Sequence, residues 1–144
     1  MIAPSTGPRV ALLPACGEKV AEGRMRGWRI ALLLLILACN REQKQQAQLS
    51  TGGDPDRGKM AIEKYGCGAC HSIPGVAGPK GAVGPSLEHI ASRAYISGKL
   101  ANNPETMIKW LQDPTALNKE TAMPALGVTE ADSRDMTAYL CTLK

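Results

Sequence analysis

The chain has no phenylalanine, and only two tryptophans and three tyrosines among its 144 residues. A domain of fewer than 100 residues that is this poor in aromatics has little core to spare. No long apolar run is present either. Residues 30–38, Ile-Ala-Leu-Leu-Leu-Leu-Ile-Leu-Ala, stop at Cys39. About 20 apolar residues are needed to span a bilayer as a helix, so this run is too short to cross. Basic charge is not in real excess. The net charge of +4 comes from 17 Lys and Arg against 13 Asp and Glu. Residues 1–39 hold five of the basic groups and two of the acidic ones, which leaves 12 against 11, or +1, for the rest. That balance carries no nucleic-acid footprint. No strand signal is convincing, no internal repeat is visible, and the length suits one domain with some extra chain.

Against these absences stands Cys67-Gly68-Ala69-Cys70-His71. C-x-x-C-H is the attachment signature of a c-type haem. Two thiols three positions apart can reach the two vinyl groups on one edge of a porphyrin and form thioethers. His71 is then held under the ring, where its imidazole can bind the iron. Two other chemistries use C-x-x-C. A thioredoxin-like redox site needs a βαβ setting, which is missing. A zinc site needs a second ligand pair, whereas Cys16, Cys39 and Cys141 are isolated from one another. One pentad implies one covalent haem c, which would also supply apolar mass that the composition lacks. Its two propionates would bring the charge beyond residue 39 to about −1.

The N-terminal part reads as targeting sequence. Arg26 and Arg29 precede the apolar run, as in a secretory signal. Ile36-Leu37-Ala38-Cys39 resembles a bacterial lipobox, in which the cysteine becomes the lipidated first residue; the alternative is an ordinary signal with an incidental cysteine. Pro4, Pro8 and Pro14 suit no signal n-region, so translation is expected to start at Met25, and Cys16 then has no role. The expected organisation is a signal and lipobox over 1–39, a flexible polar tether over 40–53 and a domain over 54–144. A random-coil tether of that length reaches about 20 Å.

Within the domain, Asp56 is expected to cap a helix through Tyr65. The glycine- and proline-rich residues 72–86 read as loop. A short helix is expected over Ser86–Ala94. Asn103 and Pro104 open a helix to Gln112 that stops at Asp113-Pro114, and Thr129 caps a last helix carrying Met136, Tyr139, Leu140 and Leu143 at helical spacing. The fold class is all-α, with three to five helices around one haem.

A second axial ligand must come from Met60, Met107, Met123, Met136 or His89. Met60, Met107 and Met136 fall within expected helices, where a methionine packs the core. His89 reads as a surface helix residue. Met123 lies in an extended segment stiffened by Pro124, which can present a ligand to iron. Cys141 reads as a small buried apolar residue.

Taken in order, these motifs resemble the class I c-type cytochromes, small monohaem electron carriers, over residues 54–144. Gly58 precedes the pentad in the first helix. Gly84-Pro85-Ser86-Leu87 is similar to the family's Gly-Pro-x-Leu segment, and Arg93 stands eight residues after Pro85. Trp110-Leu111-Gln112-Asp113-Pro114 resembles the distal aromatic-Leu-x-x-Pro segment, and Met123 follows Pro114 by nine residues. Tyr139-Leu140 matches the C-terminal helix, whose aromatic packs near the glycine of the first. Ile62 departs from the pattern, because many members carry an aromatic there; Tyr65 is the candidate substitute.

The resemblance implies a small cytochrome c fold with His71 and Met123 on iron. The Pro85 carbonyl would accept from His71 Nδ1–H, fixing the ring, the alternative being a simple loop turn. Arg93 would meet a propionate, the alternative being a surface charge. Trp110 would point its indole N–H to a propionate or simply pack. It also implies a monomer that exchanges electrons with redox proteins, here expected to be membrane-bound respiratory complexes. The lipobox-type signal would hold the chain by its lipid on the periplasmic side of a bacterial membrane, the alternative being a soluble periplasmic protein. An exposed haem edge is expected beside Gly66, Gly68, Ala69 and loop 75–84. Two rivals stay open: a haem enzyme with an open or labile sixth position, of peroxidase or ligand-binding type, and a dedicated subunit of an oxidase or dehydrogenase complex.

Overall fold

The computed structural model describes the backbone from Trp28 to Lys144 and side-chain surroundings from Asn40. The proposed start at Met25, Cys16 and most of the signal segment lie outside the described residues. Among the described residues five helices follow one another: α1 (Trp28–Thr51), α2 (Pro55–Lys64), α3 (Pro104–Gln112), α4 (Pro114–Leu117) and α5 (Glu130–Leu140). A 3-10 turn, Cys67–Ala69, follows α2, and another, Ile90–Ser92, precedes a small antiparallel pair, β1 (Tyr95–Ile96) and β2 (Leu100–Ala101).

Local chemistry accounts for the helix starts. Asn103 accepts from Thr106 N, and Pro104 occupies the first helical position of α3. Thr129 accepts from Asp132 N at the start of α5. At α2 the cap is Asp54, not Asp56: its Oδ1 accepts from Asp56 N and Arg57 N, at 2.8 and 3.0 Å. Proline is favoured at the first helical position, so Pro55 shifts the cap one residue before itself.

The main packing is α2 against α5, with α3 set against α5 beside it. Gly58 makes the crossing possible, because a Cβ there would run into the backbone carbonyl of Asp135. Ile62, Met107, Trp110, Leu111, Met136 and Leu140 form the heart of the core. Tyr65 packs at its margin and donates from its hydroxyl to Asp132 Oδ2 at 2.7 Å, tying the end of α2 to α5.

Four expectations are corrected here. Residues 40–51 are not a flexible tether but the second half of α1. Gln, Lys, Arg, Ala and Leu are good helix formers, and a helix needs no full apolar stripe when it buries only a narrow seam. That seam is Ala47 and Thr51, one turn apart and both buried, with α1 lying mainly on α5. Lys44 Nζ pairs with Asp56 Oδ1 at 2.6 Å, and Arg134 Nη1 donates to the Thr51 carbonyl at 3.2 Å. Second, Ser86–Ala94 is loop apart from the 3-10 turn, and His89, outside any helix, has φ 55°. Third, Met60 is 60 % exposed on α2, whereas Met107 and Met136 are buried. The helical repeat places Met60 beside the seam that Ala61 and Ile62 fill. Fourth, the β1–β2 pair is a strand element that residue pattern alone did not reveal, since two-residue strands are too short to show alternation.

Candidate functional site

The core does not close on itself. Its apolar side chains surround a cavity of about 510 Å³. Native interiors leave few voids larger than a water molecule, so a cavity of this size within a small helical domain marks the seat of a resident group.

The attachment pentad forms one part of the wall. The carbonyl of Cys67 receives the N–H groups of Cys70 and His71, at 3.2 and 3.0 Å, so the chain turns tightly and both thiols and the imidazole border the same space. Burial pushes the Cys67 thiol up from its ordinary value. The loop that follows is stitched to this turn: Gly81 N donates to Gly68 O at 3.0 Å, and Gly84 N to Cys70 O at 2.8 Å. This corrects one expectation about the exposed edge. Gly68 is buried beneath loop 75–84, because the loop amides take up the turn's free carbonyls; Gly66, Ala69 and most of the loop remain exposed.

His71 is fixed from two sides. Its Nδ1 lies 2.7 Å from the Pro85 carbonyl, which can only accept. Nδ1 therefore carries the proton, and Nε2 keeps its lone pair for a metal. The ring also rests on Gly84, where a Cβ would stand 2.6 Å from Nδ1 and 2.9 Å from Nε2. No side chain larger than hydrogen fits there without displacing the imidazole.

Met123 reaches the same cavity from the segment Thr121–Pro124. Met107 and Met136 also touch the cavity, but from helices within the core cluster. His89 does not line it; that side chain is exposed, with Nε2 3.8 Å from Glu88 Oε1. Trp110 is buried on α3 and borders the cavity. Its indole N–H has no partner among the described residues, yet no side-chain polar atom there is both sealed from solvent and unpaired. The N–H is therefore not sealed from solvent. Arg93 also lines the cavity, and its Nη2 donates to the carbonyls of Ser86 and Glu88, at 2.6 and 2.9 Å. That use leaves the Nε and Nη1 donors of the guanidinium available. Cys141 is half-buried near the end of α5, and burial raises its pKa.

Residue pattern missed the hairpin wall of the site. Tyr95, Ile96, Ser97 and Gly98 all border the cavity. The Ser97-Gly98 dipeptide is a turn signal that marks the hairpin tip in the sequence.

The donor set suits one group. Two thiols, an imidazole with a free Nε2 and a thioether converge on one apolar cavity, which is the set a covalently held haem needs. A family profile described as Cytochrome c matches residues 55–144. Cytochrome c oxidase subunit 2 of Alkalihalophilus pseudofirmus is 33% identical over 90 residues, which are 62% of this chain and 25% of that protein. The chain thus spans only a quarter of the length of that relative. With this fold, this cavity and a profile match from α2 to the C-terminus, the chain belongs to the cytochrome c family, whose members bind haem c covalently and carry electrons.

Proposed function

We propose that the chain is a membrane-anchored monohaem electron carrier with His71 and Met123 as the axial ligands. The observation that carries this reading is the convergence of Cys67, Cys70, His71 and Met123 on one apolar cavity. Bound haem supplies an iron that accepts and returns one electron, and a methionine ligand favours its reduced state. Cys67 and Cys70 would hold the group by thioethers. The Pro85 carbonyl holds the His71 proton on Nδ1 and so leaves Nε2 to the iron. The apolar walls exclude water and favour the form with less charge. Arg93, through Nε and Nη1, and Trp110, through its indole N–H, would receive the propionates.

The anchor is Cys39, lipidated at the point where the apolar run ends, and the domain stands on the periplasmic side of a bacterial membrane. Among the described residues no helix is long and apolar enough to cross a membrane. The likeness to an oxidase subunit supports a respiratory membrane complex as the redox partner. It also supports a second reading, a permanent subunit of such a complex, with the same chemistry and a fixed partner. Co-purification after detergent extraction separates the two: a carrier leaves the complex in a salt wash, and a subunit stays.

The test of the ligand set is Met123→Ala in the holoprotein. The expected result is loss of the near-infrared methionine-to-iron band, ready binding of added carbon monoxide or imidazole, and a lower potential. Retention of the band would reject Met123. The anchor is tested by Cys39→Ser, which should release a folded, haem-loaded domain from the membrane fraction. A wild-type protein already soluble, with its N-terminus beyond residue 39, would reject lipidation.

A further inference from the structure

The segment that carries Met123 has little support of its own. Among the described residues, the backbone of residues 122–128 makes no hydrogen bond to other backbone groups. Met123 N donates instead to the Thr121 hydroxyl at 3.1 Å. Just upstream, the order of the segment converges on Asn118. Its N–H donates to the Pro114 carbonyl at 2.9 Å, and its own carbonyl accepts from Thr121 N at 3.1 Å. Its Oδ1 accepts from Glu120 N at 3.2 Å. Its Nδ2 reaches out of the segment and donates to Ser97 Oγ at 2.8 Å.

Ser97 sits at the tip of the β1–β2 hairpin, across 21 residues of sequence from Asn118. The tip is a tight turn closed by Lys99 N on the Ile96 carbonyl at 3.3 Å, with φ 51° at Ser97 and 73° at Gly98. A turn with two positive φ values favours glycine or asparagine at its first central position. Serine there is a strained choice, and such strain persists where the surroundings over-determine it. Here the hydroxyl has a use that glycine lacks. Lys99 Nζ and Glu120 Oε2 add a second link at 3.1 Å, but both side chains are exposed and water screens the pair. Ser97, Thr121 and Met123 all border the haem cavity.

We propose that Ser97 and Asn118 are positioning residues for Met123: their hydrogen bond pins the methionine-bearing segment to the hairpin and keeps the thioether seated in the cavity. The inference rests on Met123 being the axial ligand. Neither residue touches the iron. They set how readily a competing ligand displaces the methionine.

The experiment titrates imidazole into the full-length ferric holoprotein and follows the near-infrared methionine band. Ser97→Gly is the main variant, because glycine suits the local φ and leaves the hairpin intact. The expected result is thermal stability at or above that of wild type, with the band displaced at about threefold lower imidazole, as the loss of one solvent-facing hydrogen bond implies. Asn118→Ala should show the same direction. In the Asn118→Ala background, Ser97→Gly should add nothing, because the two groups act as one contact. A Ser97→Gly protein that titrates like wild type overturns the proposal, as does an undiminished Ser97→Gly effect when Asn118 is already alanine. A wild-type protein without the methionine band, or a Met123→Ala protein that keeps it, instead removes the ligand reading and this inference with it.

Discussion

Gly58 of α2 lies directly against the backbone carbonyl of Asp135 on α5. The two helices meet with no side chain between them at this point. Their closeness sets one wall of the haem cavity, because Ile62 and Met136 follow on the same two helices and both line it.

Gly58→Ala should therefore force the helices apart. Overpacking of this kind costs about 1–3 kcal/mol. Thermal unfolding of the holoprotein should show the loss, with haem still covalently attached because the thioethers do not depend on the crossing. A melting temperature equal to that of wild type would show that the crossing can relax freely.

Asp135 should make stability depend on acid pH. Its Oδ1 accepts from Asp54 N at 2.6 Å and from Arg57 Nη2 at 2.9 Å, and its Oδ2 accepts from Arg57 Nε at 2.8 Å. The hydrogen-bonded Arg57 guanidinium holds this carboxyl below the usual carboxylate range. Because the folded value is depressed, the stabilisation is fully present above the unfolded value of about 3.9 and is lost as pH falls through the folded one. Asp132 moves the same way, chiefly through the Tyr65 hydroxyl and then Lys64. Asp135→Asn should cost about 2 kcal/mol at neutral pH, by loss of charge-assisted hydrogen bonds. The gap between the two proteins should narrow in urea unfolding as pH drops below about 4. A gap that stays constant with pH would rule out the carboxylate charge as its source.

Gly84→Ala probes the support behind His71. The added methyl would meet the imidazole ring. The expected outcome is a haem that remains attached but shows partial high-spin character in the optical spectrum, with a lower melting temperature. Gly→Ala changes at exposed glycines elsewhere would not reproduce that spectral signature. An unchanged low-spin spectrum would mean that the ring and loop adjust together.

Ala47→Asp tests the docking of α1. A carboxylate at this buried site should release residues 40–51 from the domain, at a local cost of about 1–2 kcal/mol. Tryptic cleavage after Arg41 and Lys44 should accelerate roughly tenfold, since proteolysis follows the population of the open form. The haem spectrum should stay as in wild type. Equal cleavage rates in both proteins would show that the helix is already released in solution.

The residue order by itself determined what depends on near neighbours. Cys67, Cys70 and His71 announce a covalent haem because attachment chemistry demands that spacing. Asn103-Pro104 and Thr129 mark the starts of α3 and α5 because capping is settled within four residues. Met123 stands out because a proline follows it outside any helical repeat. Tertiary structure alone decided what depends on distant partners. The fate of residues 40–51 turned on a seam of two side chains against α5, too narrow to leave a periodic signal. Whether Met60 or Met107 entered the core depended on which helix face met a neighbour. The Gly58–Asp135 crossing and the Ser97–Asn118 bond join residues 77 and 21 positions apart, and only packing could bring them within reach.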